Sequence, residues 1–162
     1  LMNAGVRIPA YIEALTGITN AMVRSAPSAG EVMRDVSEFV GDMPIVAHNA
    51  SFDAKFWDAE LARIQRGRKQ DFVCSLLLSR RLLPLAPSHK LGALVEYARL
   101  PVAGRYHRAL ADAEMAASLL LRLEDELRLR HQVPRVSVEL LRQIQRASKA
   151  QLPRCLAAAR GG

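Results

Sequence analysis

The sequence predicts an α/β fold in which helices cover a small, buried sheet. Two short apolar runs, residues 44–48 and 71–74, are typical of strands, and the first has the continuous apolar character of a strand buried on both faces. Stretches whose apolar residues recur every three or four positions surround both runs and predict amphipathic helices. Strands that alternate with helices indicate an α/β layer architecture, and 162 residues suffice for about one domain.

The first half of the chain carries clear signals for helix starts and turns. Gly17 can take a positive φ in a turn, and Thr19 can cap a short helix over residues 20–24. Ser28 is predicted to cap a helix that continues to about residue 40, and a further helix is predicted over residues 52–65. The apolar positions expected to face the core in these two longer helices are Val32, Val36, Phe39, Val40, Phe52, Phe56, Ala59 and Leu61.

The second half is predicted to be mainly helical. Helices are expected over residues 75–83, after Ser88, over residues 109–130 and over residues 136–150, with Pro84 and Pro134 as breaks. The last residues, 151–162, are rich in alanine, arginine and glycine, and we expect them to fray.

Composition restricts the classes of function. Lys and Arg number 23 against 16 for Asp and Glu, so the chain carries a formal charge of +7, which favours polyanionic partners such as nucleic acid. Basic composition also occurs in proteins that bind no nucleic acid, so both interpretations stay open. No apolar run is long enough to span a membrane, and the two cysteines have no metal-ligand spacing. We therefore expect a cytoplasmic protein without a membrane partner.

A histidine and an aspartate near the start of the longest predicted helix form the first candidate site. His107 precedes the helix, and Asp112 follows five residues later in its first turn. Because this spacing does not stack two side chains on one helical face, the histidine suits a loop above a site that Asp112 borders. An imidazole beside a carboxylate that can hold a cation is suited to activating water for hydrolysis. The alternative is a solvated loop histidine and an ordinary aspartate at a helix N-terminus.

A second candidate site follows the first predicted strand. Asn49, Phe52 and Asp53 lie where this strand gives way to a helix, and strand ends are the preferred place for sites in open α/β sheets. Asp53 falls in the first helical turn. It can therefore point into a cleft, or it can simply interact with the helix dipole, a contribution of about 0.3–1 kcal/mol.

Together, the two motifs resemble those of the DnaQ-like (DEDDh) 3′–5′ exonucleases, which include proofreading subunits of bacterial replicative polymerases and RNase T-type trimming enzymes. The motifs are Asn-x-x-Phe-Asp after an apolar strand and His-x-Ala-x-x-Asp at the start of an alanine-rich helix. Segments 12–19, 74–84 and 89–94 are also similar to the family, in family order. The resemblance covers roughly residues 6–127 and implies a ribonuclease H-like exonuclease fold.

The resemblance also implies a site and a mechanism. In the family, four carboxylates hold two divalent ions, Mg²⁺ or Mn²⁺, about 4 Å apart, and these ions clamp the attacking and leaving oxygens. Asp53 and Asp112 match two of these metal ligands, and His107 matches the general base. Phe52 can equally belong to the core. The positions that match contacts to the substrate strand or its terminal nucleotide are Asn49, Phe52, Gly17 and Ile18.

The sequence departs from the family at its first motif. No Asp-x-Glu follows an apolar run near the N-terminus, although this motif supplies the other two carboxylates. Asp58 and Glu60 read Asp-Ala-Glu, but their i, i+2 spacing on a helix would point them apart. We therefore expect an N-terminally truncated, helix-rich exonuclease domain over residues 1–131, and a C-terminal helix with a basic tail over residues 132–162.

Two functions remain in competition. One is a metal-dependent 3′–5′ exonuclease that releases nucleoside monophosphates from single-stranded 3′ ends of DNA or RNA. The alternative is a truncated or inactive exonuclease-like module that binds nucleic acid or a DNA polymerase subunit. The missing carboxylates predict that residues 1–162 alone are inactive. The basic tail is either a solvated helix packed on the domain or a contact to one of these partners.

Overall fold

The computed structural model describes residues 1–101 and 109–161, which form helices around a two-stranded parallel sheet. The described elements, in chain order, are α1 (Ala10–Thr16), α2 (Asn20–Arg24), α3 (Ala29–Val40), β1 (Ile45–Ala47), α4 (Ala50–Arg63), β2 (Phe72–Cys74), α5 (Ser75–Leu82), α6 (Leu91–Tyr97), α7 (Ala109–Leu129), α8 (Val138–Arg146) and α9 (Leu152–Arg160). The order of strands and helices confirms the predicted α/β class, in a helix-rich form.

The predicted turn at Gly17 and the predicted helix caps at Thr19 and Ser28 are confirmed by their hydrogen bonds or backbone conformation. The Thr19 hydroxyl accepts from the Met22 N–H. Ser28 and Glu31 form a capping box, in which each side chain accepts a backbone N–H of the other residue. Gly17 ends α1 at φ 69°, a left-handed conformation that glycine adopts without steric cost. Local capping chemistry therefore fixes these boundaries as the sequence predicts.

The sheet brings the ends of its two strands to one edge. β1 and β2 run parallel, with Ile45 opposite Phe72 and Ala47 opposite Cys74. Val73 is fully buried, whereas every residue of β1 is half-buried. The prediction that β1 is buried on both faces is therefore wrong, because its residues line an open cleft and no strand pairs with its second edge among the described residues. That edge forms one side of a cleft.

The core lies between β2 and three helices, α5, α7 and α8. The C-terminal segment contributes to it directly, since α8 packs on α5 and β2, and α9 packs on α8. The expected fraying of the last residues is wrong, because Leu156 anchors α9 at 4% exposure. The boundary at residue 131 stays a prediction. The largest fully buried side chains of the core cluster are Leu78, Leu94, Leu119, Leu123, Leu127, Ile144, Val73 and Val133.

Three aromatic residues expected in the core are instead exposed. Phe39 is 83% exposed, Phe52 59% and Phe56 58%. Met33 of α3 is buried instead, Leu61 of α4 is buried as predicted, and Ala59 of α4 is exposed, contrary to the prediction. Helical spacing identifies an apolar face, but it does not show whether another element covers that face. None of the helices in the described ranges is both long and apolar enough to cross a membrane.

Candidate active site

A cleft of about 830 Å³ opens beside β1, where the strand gives way to α4. One wall is the start of α4, a second is α6, and the third is the first half of α7. Its polar and charged lining residues are the candidates for chemistry. They are His48, Asn49, Asp53, Lys90, Glu96 and Asp112.

Asp53 and Asp112 both line this cleft, although they come from distant parts of the sequence. Each lies in the first turn of its helix, Asp53 in α4 and Asp112 in α7. Asp53 is exposed and Asp112 is half-buried, so both carboxylates are accessible from the cleft. The structure thus brings together the two carboxylates that the sequence motifs single out.

The predicted substrate-contacting residues divide into two groups. Asn49 and Phe52 line the cleft, whereas Gly17 and Ile18 lie in the turn between α1 and α2, outside the cleft lining. Asn49 is in the left-handed conformation, at φ 71°, and its side chain makes no capping hydrogen bond to α4. The Phe52 ring is exposed and tilted against Phe56 at a centroid distance of 4.8 Å. Phe52 is therefore a surface residue of the cleft rather than a core residue.

His107, predicted as the general base, lies outside the described residues. Asp112, five residues further on, is described and lines the cleft. The role of His107 therefore stays a prediction from its sequence motif.

His48 has a structural role that no sequence motif predicted. Its Nε2 lies 2.9 Å from the backbone carbonyl of His89, and its Nδ1 lies 3.0 Å from the Ser75 hydroxyl. Because a carbonyl only accepts, Nε2 must carry the hydrogen, and in the neutral ring Nδ1 accepts from Ser75. Burial lowers the pKa of His48 below its ordinary value, so the neutral ring is favoured. The one sequence feature that could have indicated this role is the position of His48 directly after an apolar strand.

Lys90 and Glu96 also line the cleft, and neither was predicted as a site residue, although Lys90 lies in the family-like segment 89–94. Both are exposed, and neither forms a salt bridge with another described residue. Lys90 is the residue before α6 and Glu96 lies within it, so the two residues do not share one helical face. The packing of α6 on α7 brings both to the cleft, which sequence periodicity does not predict.

The ligand atoms in the cleft are of the chemical type that a divalent cation prefers. Mg²⁺ and Mn²⁺ prefer oxygen ligands, and Asp53 and Asp112 offer carboxylate oxygens. Within residues 1–101 and 109–161, no cluster of three or more acidic, histidine or cysteine side chains is arranged to hold a metal. Asp58 and Glu60 do not compensate, because they pair with Arg68 and Arg63. The described residues therefore offer two carboxylates to a cation in this cleft but no complete set of metal ligands.

Comparison with known proteins defines the class to which this fold and this cleft belong. Residues 2–120 match the RNase T exonuclease family, which is most of the chain. The chain therefore belongs to this exonuclease family, and the DnaQ-like resemblance of its motifs is confirmed.

Two similar proteins are components of bacterial DNA polymerase III. The chain is 36% identical over 129 residues to DNA polymerase III subunit epsilon of Aquifex aeolicus, an alignment that covers 78% of this chain and 63% of that protein. It is 37% identical over 119 residues to a PolC-type DNA polymerase III of Bacillus subtilis, covering 72% of this chain and 8% of the polymerase. The chain thus spans less than two thirds of the length of these relatives.

A solved structure supports the same fold. Exonuclease X, in complex with 5′ overhanging duplex DNA, superposes with a TM-score of 0.64 at 26% sequence identity. The superposition covers 90% of this chain and 78% of that chain. The helix-rich architecture described above is therefore a form of the ribonuclease H-like exonuclease fold.

Proposed function

We propose that this protein is a metal-dependent 3′–5′ exonuclease that hydrolyses phosphodiester bonds at single-stranded 3′ ends and releases nucleoside monophosphates. The observation that carries the proposal is that Asp53 and Asp112 line one cleft in a chain of the exonuclease family. The two aspartates lie in the first turns of α4 and α7, which are far apart in sequence. Their convergence on one cleft is what a shared cation site requires.

Asp53 and Asp112 are the residues proposed to hold two divalent cations, Mg²⁺ or Mn²⁺. When bound, such ions would offset the charge of the phosphate and of the leaving oxygen. Two ions carry +4, whereas the two carboxylates supply −2, so ion binding before substrate arrives is expected to be weak. Phosphate oxygens, water and acidic side chains that the described residues do not bring to the cleft are proposed to complete the coordination.

The remaining residues are proposed to position the strand and move a proton. His107 takes the proton from the attacking water, because an imidazole with an ordinary pKa of about 6.5 titrates near neutral pH. The exposed Phe52 ring offers a face on which a terminal base can stack. The Asn49 side chain, which makes no capping bond, is available to the strand. Gly17 and Ile18 stay proposed contacts to the terminal nucleotide.

The proposed partners are single-stranded DNA or RNA 3′ ends and a DNA polymerase subunit. The polymerase is proposed because the relatives named above are themselves parts of DNA polymerase III. No described feature distinguishes a ribose 2′-hydroxyl from a deoxyribose, so DNA and RNA are both proposed substrates.

The direction and mode of cleavage are tested with two substrates. A single-stranded oligonucleotide labelled at its 5′ end is incubated with the purified intact protein and Mn²⁺, beside a circular single strand of the same composition. We expect a ladder of products shortened from the 3′ end and an intact circle. Cleavage of the circle, or release of the 5′ label as a mononucleotide, would contradict the proposal.

A second candidate function is a binding module without nuclease activity. It is favoured by one observation, that the described residues bring no third metal-binding side chain into reach of the two aspartates. Tight binding of the linear oligonucleotide without any cleavage in Mn²⁺ would support this second function and overturn the first.

A further inference from the structure

Lys90 gives the cleft a positive charge among three carboxylates. Of the described residues that line the cleft, Lys90 alone is a lysine or arginine, while Asp53, Asp112 and Glu96 are acidic. A nucleic-acid strand is a chain of negative phosphates, so these three carboxylates repel it until cations bind. A lysine ammonium in the same cleft reduces that repulsion, most strongly within the Debye length of about 8 Å at physiological salt.

The Lys90 ammonium forms no salt bridge with another described residue. The side chain is exposed, and in the described part of the chain it has no carboxylate within salt-bridge distance. Many other basic side chains do have such a partner. Arg142 contacts Asp71 at 2.9 Å, and Arg68 contacts Asp58 at 2.7 Å. Lys90 therefore keeps its charge available to a ligand in the cleft.

The backbone that carries Lys90 is braced against the end of β1. The Lys90 N–H donates to the Ser88 hydroxyl at 3.3 Å, and the carbonyl of the preceding residue, His89, accepts from His48 at 2.9 Å. The His89 ring in turn lies 3.2 Å from the Leu83 carbonyl. A lysine on a braced segment loses less freedom on binding than one on a free loop.

Small residues on α6 and α7 leave room for a strand in the cleft. The α6 and α7 walls of the cleft are lined by glycine and alanine at five positions, within a volume of about 830 Å³. Such walls allow an extended backbone to pass between the helices without displacing a large side chain. These positions are Gly92, Ala93, Ala109, Ala113 and Ala116.

We propose that Lys90 binds a backbone phosphate of the single strand whose terminal linkage is placed at Asp53 and Asp112. The inference rests on the proposed exonuclease function and adds a substrate-binding residue to it. Lys90 forms a charged contact to one phosphodiester and none to a base, so its contribution is independent of sequence and sensitive to salt.

The test measures how strand binding depends on salt. Affinity for a fluorescent oligo-dT is measured with Ca²⁺ in place of Mg²⁺ over a range of NaCl concentrations, for the unmodified protein, Lys90→Gln and Lys90→Arg. One phosphate contact to a single strand contributes about 0.7 to the slope of log affinity against log salt. We expect Lys90→Gln to lose about that amount of slope and Lys90→Arg to retain it. Lys149→Gln, which removes the same charge from an exposed position outside the cleft, is the matched control and keeps the slope.

The outcomes separate this proposal from the function on which it rests. An unchanged slope in Lys90→Gln, with normal binding and trimming by the unmodified protein, overturns the Lys90 contact and leaves the exonuclease intact. An equal loss in Lys90→Gln and Lys149→Gln also overturns it, because the effect would then be general charge. Absence of both binding and trimming by the unmodified protein overturns the exonuclease proposal and the Lys90 contact together.

Discussion

The backbone N–H of Cys74 donates a 2.7 Å hydrogen bond to Oε1 of Gln145. The same side chain donates from Nε2 to the Phe72 carbonyl at 3.2 Å. Gln145 therefore satisfies the free edge of β2 with one acceptor and one donor, as a neighbouring strand would. Through these two hydrogen bonds, Gln145 links α8 to β2, the strand that precedes α5.

Replacing Gln145 with alanine is expected to destabilise the fold. The Cys74 N–H belongs to a buried residue and would lose its partner, and an unsatisfied buried group costs about 1–3 kcal/mol. Chemical denaturation of Gln145→Ala measures the loss. Gln143→Ala, an exposed glutamine on the same helix, is the control and should change stability little. Equal stability of the two variants would contradict this role for Gln145.

The stability of the fold is expected to fall as the pH drops below 6.5. Burial lowers the pKa of His48 in the fold, so the unfolded chain takes up a proton first, and stability is lost between pH 6.5 and the lower folded pKa. Arg80 and the His89 ring also lower this pKa, whereas the His89 carbonyl and Asp53 oppose the shift. Thermal unfolding at a series of pH values from 5 to 8 measures the effect.

His48→Gln is the variant that isolates this contribution. A glutamine amide can still donate to the His89 carbonyl, but it does not titrate. The stability of the His48→Gln variant should therefore vary less with pH below 6.5. If His48→Gln and the unmodified protein lose stability in parallel over this range, another group is responsible.

Much of the fold could be predicted from local sequence chemistry. Thr19, Ser28 and Gly17 act within one or two turns of their own position, and the structure places their caps and turn as predicted. The location of Asp53 and Asp112 in one cleft could be predicted from two motifs in family order. These features depend on neighbours in sequence or on a family pattern, which the chain itself displays.

Features that depend on long-range packing could not be predicted in this way. Phe39 has helical spacing with core residues and is nevertheless 83% exposed. The contact of Gln145 with β2 joins residues about seventy positions apart, and nothing in the local sequence marks it. Lys90 enters the cleft because α6 packs on α7. Periodicity determines which faces are apolar, but tertiary packing decides what each face meets.

Replacing His107 with alanine is expected to slow 3′-end trimming by about 10²–10⁴-fold, the usual contribution of a general base. The Mn²⁺ concentration for half-maximal activity should be nearly unchanged, because the proposed role is proton transfer. Steady-state trimming rates over a Mn²⁺ titration measure both quantities. A parallel loss of Mn²⁺ affinity would show that His107 is a metal ligand and would remove it from the proton-transfer step.

The two aspartates of the cleft provide the most direct test of the proposed exonuclease. Asp53→Asn and Asp112→Asn remove a negative charge each with little change in shape, and Asp125→Asn makes the same change on an exposed part of α7 outside the cleft. The measurement is trimming of a 5′-labelled single strand by the intact protein in Mn²⁺, with thermal unfolding as a check of folding. We expect Asp125→Asn to trim at the unmodified rate and both cleft variants to be folded and inactive. Trimming at the unmodified rate by a folded Asp53→Asn or Asp112→Asn variant would contradict the assignment of this cleft as the active site.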